Sequence, residues 1–278
     1  MTPLAFAALI FAISLVAGFL GSLLGLGGGI IVVPALTLVL GIDIRLAIGA
    51  SIISVIATSS GAAAAYVRER LANLRLAMFL ELGTTLGAIS GAYLAAYLRA
   101  QWLFLLFGLL LGYSAVAMLR KPHHAAGADV PSSALATRLQ LHSAYYDEAA
   151  GREVSYIVTR PGLGLALMYV AGAASGLLGI GSGALKVPAM DLAMHLPMKV
   201  STATSNFMIG VTAAASAGLY FTRGQIDPFL AAPVAAGVLA GATIGSRLLG
   251  RIDNKHIRTI FIVVLLVVSA EMLVKGLR

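Results

Sequence analysis

Long apolar stretches recur along almost the whole chain and limit it to a membrane fold. A helix needs about 20 apolar residues to cross the hydrocarbon core of a bilayer. The runs do not alternate between apolar and polar residues, as membrane β-strands do. We therefore predict an all-α polytopic membrane protein. The apolar runs, several of which reach this length, are 4–24, 30–42, 46–67, 76–98, 102–119, 162–180, 200–221, 228–246 and 259–274.

The composition supports this prediction. Hydrophobic residues make up 59% of the chain and charged residues 11%, whereas a soluble domain of this size needs more charge on its surface. The net charge of +8 comes from Lys and Arg in short loops between apolar runs, where they orient a membrane protein. We expect a lipid bilayer and no nucleic acid as partner. The first run has no basic segment before it, so we interpret it as a retained helix and not a signal peptide.

The chain contains an internal repeat. A shift of 154 residues aligns the two halves without a gap and superimposes their glycine and proline positions. Two homologous halves around a linker are typical of secondary transporters. Two glycine rows fall in the same register, and their spacing predicts helix packing. The aligned features include 25–29 with 179–183, 33–35 with 187–189, and Gly83, Gly87 and Gly91 with Gly237, Gly241 and Gly245.

The basic loops indicate how the halves are oriented. In the first half the loop before the run 76–98 is basic, and the next loop holds only Arg99. In the second half the bias reverses: the equivalent first loop holds Arg223 offset by Asp227, and the following region is basic. Because basic loops are cytoplasmic, this favours an inverted repeat of about five membrane segments per half. The alternative is four crossings per half, with 30–42 re-entrant and the halves parallel.

The polar linker divides the chain into three parts. Its basic residues place it in the cytoplasm. The stretches 140–146 and 152–158 are rich in aromatic and β-branched residues and flank a polar turn, which predicts a small β-hairpin. The linker histidines lack the spacing of a metal site, so we expect no metal and no cofactor. The predicted parts are a first transmembrane repeat at 1–121, the linker at 122–161 and a second repeat at 162–278.

Two glycine-rich motifs resemble a known family. The stretch 21–34, Gly-Ser-Leu-Leu-Gly-Leu-Gly-Gly-Gly-Ile-Ile-Val-Val-Pro, and its counterpart at 175–188 are similar to those of the TauE/SafE family. These are sulfite exporter and sulfonate permease-like membrane proteins. The resemblance covers nearly the whole chain and implies transport of sulfite, a sulfonate or another small organic anion. Lys186 departs from the internal pattern, because the first half has Val32 there.

The glycine motifs interrupt apolar runs and are the centre of the predicted substrate site. A glycine run unwinds a helix, and the start of the next helix offers N–H donors to an anion. Such groups must face protein or a watery cavity in a membrane, although the glycines could instead only permit close helix packing. Hydroxyl and amide side chains of the following runs extend the site. The predicted substrate-binding residues are Gly27, Gly28, Gly29, Ser51, Gly181, Ser182, Gly183, Lys186, Ser205 and Asn206.

Two charged residues lie inside apolar runs. A cation at the bilayer centre costs roughly 2.5–3.5 kcal/mol, so Lys186 needs a role or a partner. An anionic substrate would supply the counter-charge; the alternatives are pairing with Asp191 or snorkelling to the interface. Glu81 could carry a coupling proton, but it follows closely after Arg75, and we expect it at the membrane interface.

These features together predict a secondary transporter in the cell inner membrane. We expect it to move a small oxyanion, sulfite or an organosulfonate first, by alternating access around a midplane site between the repeats. The alternative is a transporter or channel for another small solute, a carboxylate or a cation. We do not expect an enzyme, because no metal pattern, Ser–Lys dyad or carboxylate pair lies inside the runs. The sequence leaves a homo-oligomer open.

Overall fold

The fold consists of helices and one small sheet. The computed structural model describes residues 2–119, 133–148, 151–249 and 252–277, so the predicted boundary at 121 and 122 lies outside the described residues. The helices are α1 (Pro3–Leu24), α2 (Gly29–Pro34), α3 (Ile44–Arg68), α4 (Leu74–Ala95), α5 (Ala100–Leu119), α6 (Ala134–Arg138), α7 (Pro161–Leu178), α8 (Gly183–Pro188), α9 (Met198–Thr222), α10 (Pro228–Leu249) and α11 (Asn254–Leu277). The strands are β1 (Ser143–Asp147) and β2 (Arg152–Tyr156).

Seven described helices are long and apolar enough to cross a membrane, as the apolar runs predict. They are α1, α3, α4, α5, α7, α10 and α11. The 25-residue helix α9 is as long as α3 but is not among the seven. Its first half carries a buried series of polar side chains, which lowers its hydropathy. These are Lys199, Ser201, Thr202, Thr204, Ser205 and Asn206.

The internal repeat reappears in the helix boundaries. Helices α3 and α9 begin at Ile44 and Met198, and α4 and α10 begin at Leu74 and Pro228. Both pairs are offset by 154 residues, the shift that aligns the sequences. The breaks after α1 and α7 follow the same offset, because α1 ends at Leu24 and α7 at Leu178. Side chains that differ between the halves therefore sit on equivalent backbone.

A short broken helix follows the first long helix of each half. Helix α2 runs from Gly29 to Pro34 and continues as a π-helical turn over Ala35–Val39, and α8 does the same through Ala189–Ala193. Proline removes a backbone donor, which explains why the helix widens directly after Pro34, where the sequence predicts a kink. Eleven residues extend about 16 Å, roughly half of the hydrocarbon core. Each half thus has four long helices and one half-length helix.

The glycine rows hold helices of different halves together. Successive glycines of α10, Gly237, Gly241 and Gly245, contact α1 first near Phe11 and last near Ser22, so the two helices run parallel. Helices α4 and α7 pack in the same way. A Cβ on most of these glycines would overlap the backbone of the facing helix. This confirms the predicted packing role of both rows.

Two pairs of equivalent helices, α3 with α9 and α5 with α11, cross antiparallel. At the α3–α9 crossing, Ser59 contacts Asn206 and Gly210, while Asn73, just after α3, contacts Thr204 earlier in α9. Residues later in α3 therefore face residues earlier in α9. Helices α5 and α11 are also antiparallel, because Gly108 lies against Leu273 and Gly276 lies against Leu105.

The predicted β-hairpin of the linker is present. Strands β1 and β2 pair antiparallel, with Ser143 opposite Tyr156 and Asp147 opposite Arg152. The Asn73 side-chain amide, in the loop between α3 and α4, donates to the Leu141 carbonyl at 2.8 Å and to the Tyr156 hydroxyl at 3.1 Å. Burial raises the pKa of Tyr156, so this hydroxyl stays neutral. The hairpin is thus hydrogen-bonded to the ends of the long helices.

A buried ion pair also joins the hairpin to α9. The Lys199 ammonium donates to the Asp147 carboxylate at 2.7 Å, and the Lys199 side chain is fully buried. The Tyr145 hydroxyl donates to the other carboxylate oxygen at 3.3 Å. Lys199 is the first residue of the buried polar series of α9. The linker therefore contacts the same helix that carries part of the predicted substrate site.

Candidate functional site

The two glycine breaks meet each other inside the protein. A Cβ built on Gly29 would lie 2.9 Å from the Gly179 carbonyl oxygen, and one on Gly183 would overlap the Gly25 carbonyl oxygen. Only residues without a side chain allow two backbones to approach this closely. The break after α1 and the break after α7 therefore form one backbone cluster, which we call the break cluster (25–29 and 179–183).

At the break cluster, two serines each donate a hydrogen bond to a backbone carbonyl of the other half. The Ser51 hydroxyl donates to the Gly179 carbonyl at 2.6 Å, and the Ser205 hydroxyl donates to the Gly25 carbonyl at 2.8 Å. The two serines occupy equivalent positions on α3 and α9. Carbonyls at the end of a helix lack an intrahelical donor, and these hydroxyls supply one. Both predicted site residues are thus at the breaks, where each binds the break of the other half.

Polar atoms without a partner lie beside the same cluster. The Asn206 side-chain amide donates to the Ser22 carbonyl at 2.6 Å, which the Tyr66 hydroxyl also contacts at 2.8 Å. On α3 and α9, four buried side-chain atoms have no hydrogen-bond partner in the described part of the chain: Ser54 Oγ, Ser201 Oγ, Thr202 Oγ1 and Asn206 Oδ1. Buried polar groups in native proteins are nearly always satisfied by protein, water or ligand. Of these residues, Thr202 packs against Gly25 and Asn206 binds Ser22 just before the first break.

The remaining residues of the breaks have a strained or open backbone. Gly27, Gly28 and Gly181 have φ values of 79°, 71° and 74°, and Ser182 adopts 59° although it carries a side chain. The left-handed region suits glycine and is unfavourable for serine. The Ser182 hydroxyl lies 2.6 Å from the Gly181 carbonyl, and the side chain is fully buried. Helices α2 and α8 start directly after these residues. The Gly29 N–H donates to the Gly27 carbonyl at 2.8 Å, and the Ile31 and Leu185 N–H groups donate to the Gly28 and Ser182 carbonyls at 3.0 and 2.9 Å.

Lys186 lies about one helical turn from the break cluster. Its ammonium donates to the Thr212 hydroxyl at 2.6 Å and lies 3.8 Å from Glu81 Oε2. The break cluster contacts α9 at Ile209, because a Cβ on Gly27 would lie 2.6 Å from Ile209 Cδ1. Thr212 follows Ile209 by three residues, roughly 4.5 Å along the helix axis. The charged end of Lys186 is therefore beside the break cluster and not within it.

The partners of two charged residues lie on distant helices. Of the alternatives for Lys186, pairing with Asp191 is not what the structure shows, because the Asp191 carboxylate accepts from Arg258 on α11 at 3.1 Å. The Glu81 side chain is 14% exposed and accepts from Thr212 at 2.7 Å. Arg75, which is close to Glu81 in sequence, donates to Gln140 of the linker. The sequence indicated the Lys186–Glu81 pair only in that each residue is a charge among apolar neighbours.

A cavity of about 530 Å³ opens at the ends of α3 and α10, beside the hairpin turn. Arg68, Glu69, Glu148 and Arg247 are among the residues that line it. Its wall also includes Gly61 and Ala65 of α3 and Thr243 and Ser246 of α10, and no residue of the break cluster lines it. The cavity is therefore a polar vestibule separate from the break cluster.

Comparison with known proteins decides the family. The family model described as "Sulfite exporter TauE/SafE" matches residues 10–272, nearly the whole chain. The chain belongs to the TauE/SafE family. With its apolar helices, this membership makes it a multi-pass membrane protein of a transporter family. Both glycine breaks and the linker lie within the matched range of this TauE/SafE member.

Relatives of this TauE/SafE member occur in bacteria and archaea. It is 26% identical to the probable membrane transporter protein YunE of Bacillus subtilis over 276 residues, which cover 97% of this chain and 98% of the relative. A probable membrane transporter protein of Xylella fastidiosa is 29% identical, with 86% and 84% covered. One from Methanocaldococcus jannaschii is 24% identical, with 95% and 94% covered. No solved structure matches the chain.

Proposed function

We propose that the protein is a secondary transporter of a small oxyanion, sulfite or an organosulfonate first, in the cell inner membrane. The observation that carries the proposal is the break cluster, where the breaks of both halves meet and Thr202, whose backbone packs against Gly25, has a buried hydroxyl without a hydrogen-bond partner in the described part of the chain. Hydroxyl groups donate hydrogen bonds to an oxyanion without adding a second charge. The name of the matching family, sulfite exporter, supports the same substrate class.

The positions of the helices support alternating access. The break cluster contains equivalent segments of both halves, and the helices that pack around it pair one half with the other. A rotation of one half against the other would therefore change which side of the cluster is open.

We further propose that the halves form an inverted repeat with a cytoplasmic linker. The antiparallel directions of α3 with α9 and of α5 with α11 support this, since each pair consists of equivalent helices. The reversed loop charges support it independently. Arg120 and Lys121 directly before the linker and Arg160 near its end flank the membrane helices, which favours the cytoplasmic side.

Cysteine labelling tests the inverted repeat directly. Arg70 and Gly224 are equivalent, exposed loop residues with φ values of 54° and 66°, and the chain has no native cysteine. We expect an impermeant maleimide to label Arg70→Cys from one side of the membrane and Gly224→Cys from the other. Labelling of both from the same side would show parallel halves. The left-handed backbone costs Gly224→Cys about 1–2 kcal/mol, so expression of both variants is compared first.

Substrate binding tests the oxyanion. We expect sulfite, thiosulfate, methanesulfonate or sulfoacetate to bind the purified protein in calorimetry, and we expect proteoliposomes to accumulate the bound anion against its gradient. A channel would equilibrate the anion without accumulation. Binding of a carboxylate or a cation in place of these anions would contradict the proposed substrate class.

Replacement of Lys186 tests the positive charge. We expect Lys186→Met to weaken anion binding by about 1.5–3 kcal/mol, roughly ten- to a hundred-fold, because one buried charge-assisted contact is lost. Lys275→Met, at the exposed end of α11, is the matched control and keeps the parent affinity. The double variant Lys186→Met/Glu81→Leu guards against misfolding, since it removes both members of the pair. Unchanged affinity in a folded Lys186→Met variant would remove Lys186 from the site.

A further inference from the structure

Three residues from three helices form a charged group inside the membrane region. Lys186 of α8 donates to the Thr212 hydroxyl of α9 at 2.6 Å, and this hydroxyl donates to Glu81 Oε1 of α4 at 2.7 Å. Thr85 also donates to Glu81 Oε1, at 3.2 Å. The second carboxylate oxygen, Oε2, is buried and has no hydrogen-bond partner in the described part of the chain. It faces the ammonium at 3.8 Å.

The repeat shows that this group is present once. A shift of 154 residues places Val32, Thr58 and Ala235 at the equivalents of Lys186, Thr212 and Glu81. The threonine is kept on equivalent backbone, whereas both charges are missing from the other copy. The packing of these helices therefore does not require the two charges, because the uncharged residues Val32 and Ala235 occupy the equivalent positions. A buried charge pair that packing does not require is a candidate for function.

The proposed anion and Glu81 compete for the same cation. In the structure the lysine and glutamate charges cancel, so the pair offers no net attraction to an oxyanion. An anion bound at Lys186 next to an ionised Glu81 would leave a net negative charge in surroundings of low polarity, which is unfavourable. A proton on Glu81 removes this excess charge and releases the ammonium for the anion. The Glu81 side chain is 14% exposed and that of Lys186 is not exposed, so of the two charged groups only the carboxylate reaches the protein surface.

We propose that Glu81 is the proton-binding site that couples substrate transport to protons, taking up one proton with each anion that binds at Lys186. This rests on the proposed oxyanion function and adds the coupling ion to it. The proton passes from water to a carboxylate oxygen of Glu81, and the salt bridge to Lys186 is replaced by a salt bridge from Lys186 to the anion. Thr212 stays between the two side chains and keeps its hydrogen bond to the ammonium.

Other titratable groups on the surrounding elements are engaged elsewhere or lie towards the helix ends. Arg75 donates to Gln140, and the Arg258 guanidinium binds Asp191. Tyr220 donates to the Gly176 carbonyl. The full set on the elements packed around the group is Arg75 and Tyr93 on α4, Tyr113 on α5, Tyr169 on α7, Asp191 after α8, and Lys199 and Tyr220 on α9.

Proton counting by calorimetry tests the inference. Methanesulfonate and thiosulfate are the probes, because neither takes up a proton near neutral pH. Titrations in two buffers of different ionisation enthalpy should show uptake of about one proton per anion by the parent protein, with affinity rising about tenfold for each pH unit that the solution is lowered. Glu81→Gln should bind both probes without proton uptake and without dependence on pH. Glu271→Gln, an exposed change on α11, should behave like the parent.

The outcomes separate this inference from the proposed function. Binding to the parent protein with no proton uptake would overturn the proton site and leave the oxyanion function standing. Proton uptake that persists in Glu81→Gln would assign the proton to another group and overturn the role of Glu81. Failure of the parent protein to bind either probe at any pH would overturn both. Because the parent protein alone decides the first and third outcomes, misfolding of the variant cannot hide the answer.

Discussion

Replacing Gly183 by alanine is expected to destabilise the folded protein by about 3 kcal/mol, the upper end of the range for overpacking. The new Cβ would overlap the Gly25 carbonyl oxygen and approach the Leu26 Cα at 2.7 Å. Both are backbone atoms, so no side-chain rotation can relieve the contact. Gly183 begins α8 with an ordinary helical φ, so the cost is steric and not conformational. Thermal unfolding in detergent measures the effect.

A glycine outside the break cluster provides the matched control. Gly218 lies on α9 with open space around it, and a Cβ there meets nothing within 4 Å. Gly218→Ala is expected to leave stability unchanged or to raise it by up to about 1 kcal/mol through helix propensity. If Gly183→Ala melted like Gly218→Ala, the close contact between the two breaks would be disproved. Anion flux should fall with Gly183→Ala and stay at the parent level with Gly218→Ala.

Replacing Asp147 by alanine is expected to cost about 3–5 kcal/mol, the range for breaking a buried ion pair from one side. The change removes the carboxylate that lies 2.7 Å from the fully buried Lys199 ammonium. It also removes the acceptor of the Tyr145 hydroxyl. We expect the hairpin to detach from α9, which lowers the melting temperature and exposes the Arg152 peptide bond to trypsin.

The control for this change is an exposed charge on the same hairpin. Glu153→Ala, on the exposed face of β2, is expected to change stability by less than about 0.5 kcal/mol. The double variant Asp147→Ala/Lys199→Met removes both charges and should recover part of the lost stability. Equal melting temperatures for Asp147→Ala and Glu153→Ala would show that the ion pair does not hold the hairpin.

Much of the candidate site follows from local sequence. The breaks fall where glycine runs predict them, because glycine adopts left-handed backbone and ends a helix without steric cost. Ser51 and Ser205 stand at the breaks because they share a register within the repeat. The hairpin follows from aromatic and β-branched residues around a polar turn. These features depend on residues close in sequence or on the repeat itself.

Contacts between side chains on distant helices could not be predicted from the sequence in this way. Sequence spacing placed Glu81 at the interface and offered Asp191 to Lys186, yet the fold joins Glu81 to Lys186 and Asp191 to Arg258. The reason is that α4 packs against α7 and α9 of the other half. No single segment of the sequence indicates which helices pack together.

The chain by itself determined the membrane fold, the repeat, the glycine breaks and the hairpin, because apolar length, periodicity and backbone freedom are local properties. Only the tertiary structure decided that Ser51 and Ser205 bind the carbonyls of the opposite break. It also decided that Lys186 of the second half meets Glu81 on α4 of the first half, whereas the equivalent positions Val32 and Ala235 carry no charge. Those outcomes depend on which helices meet, and helix contacts between the halves are set by shape at the glycine rows rather than by the chemistry of the polar residues themselves.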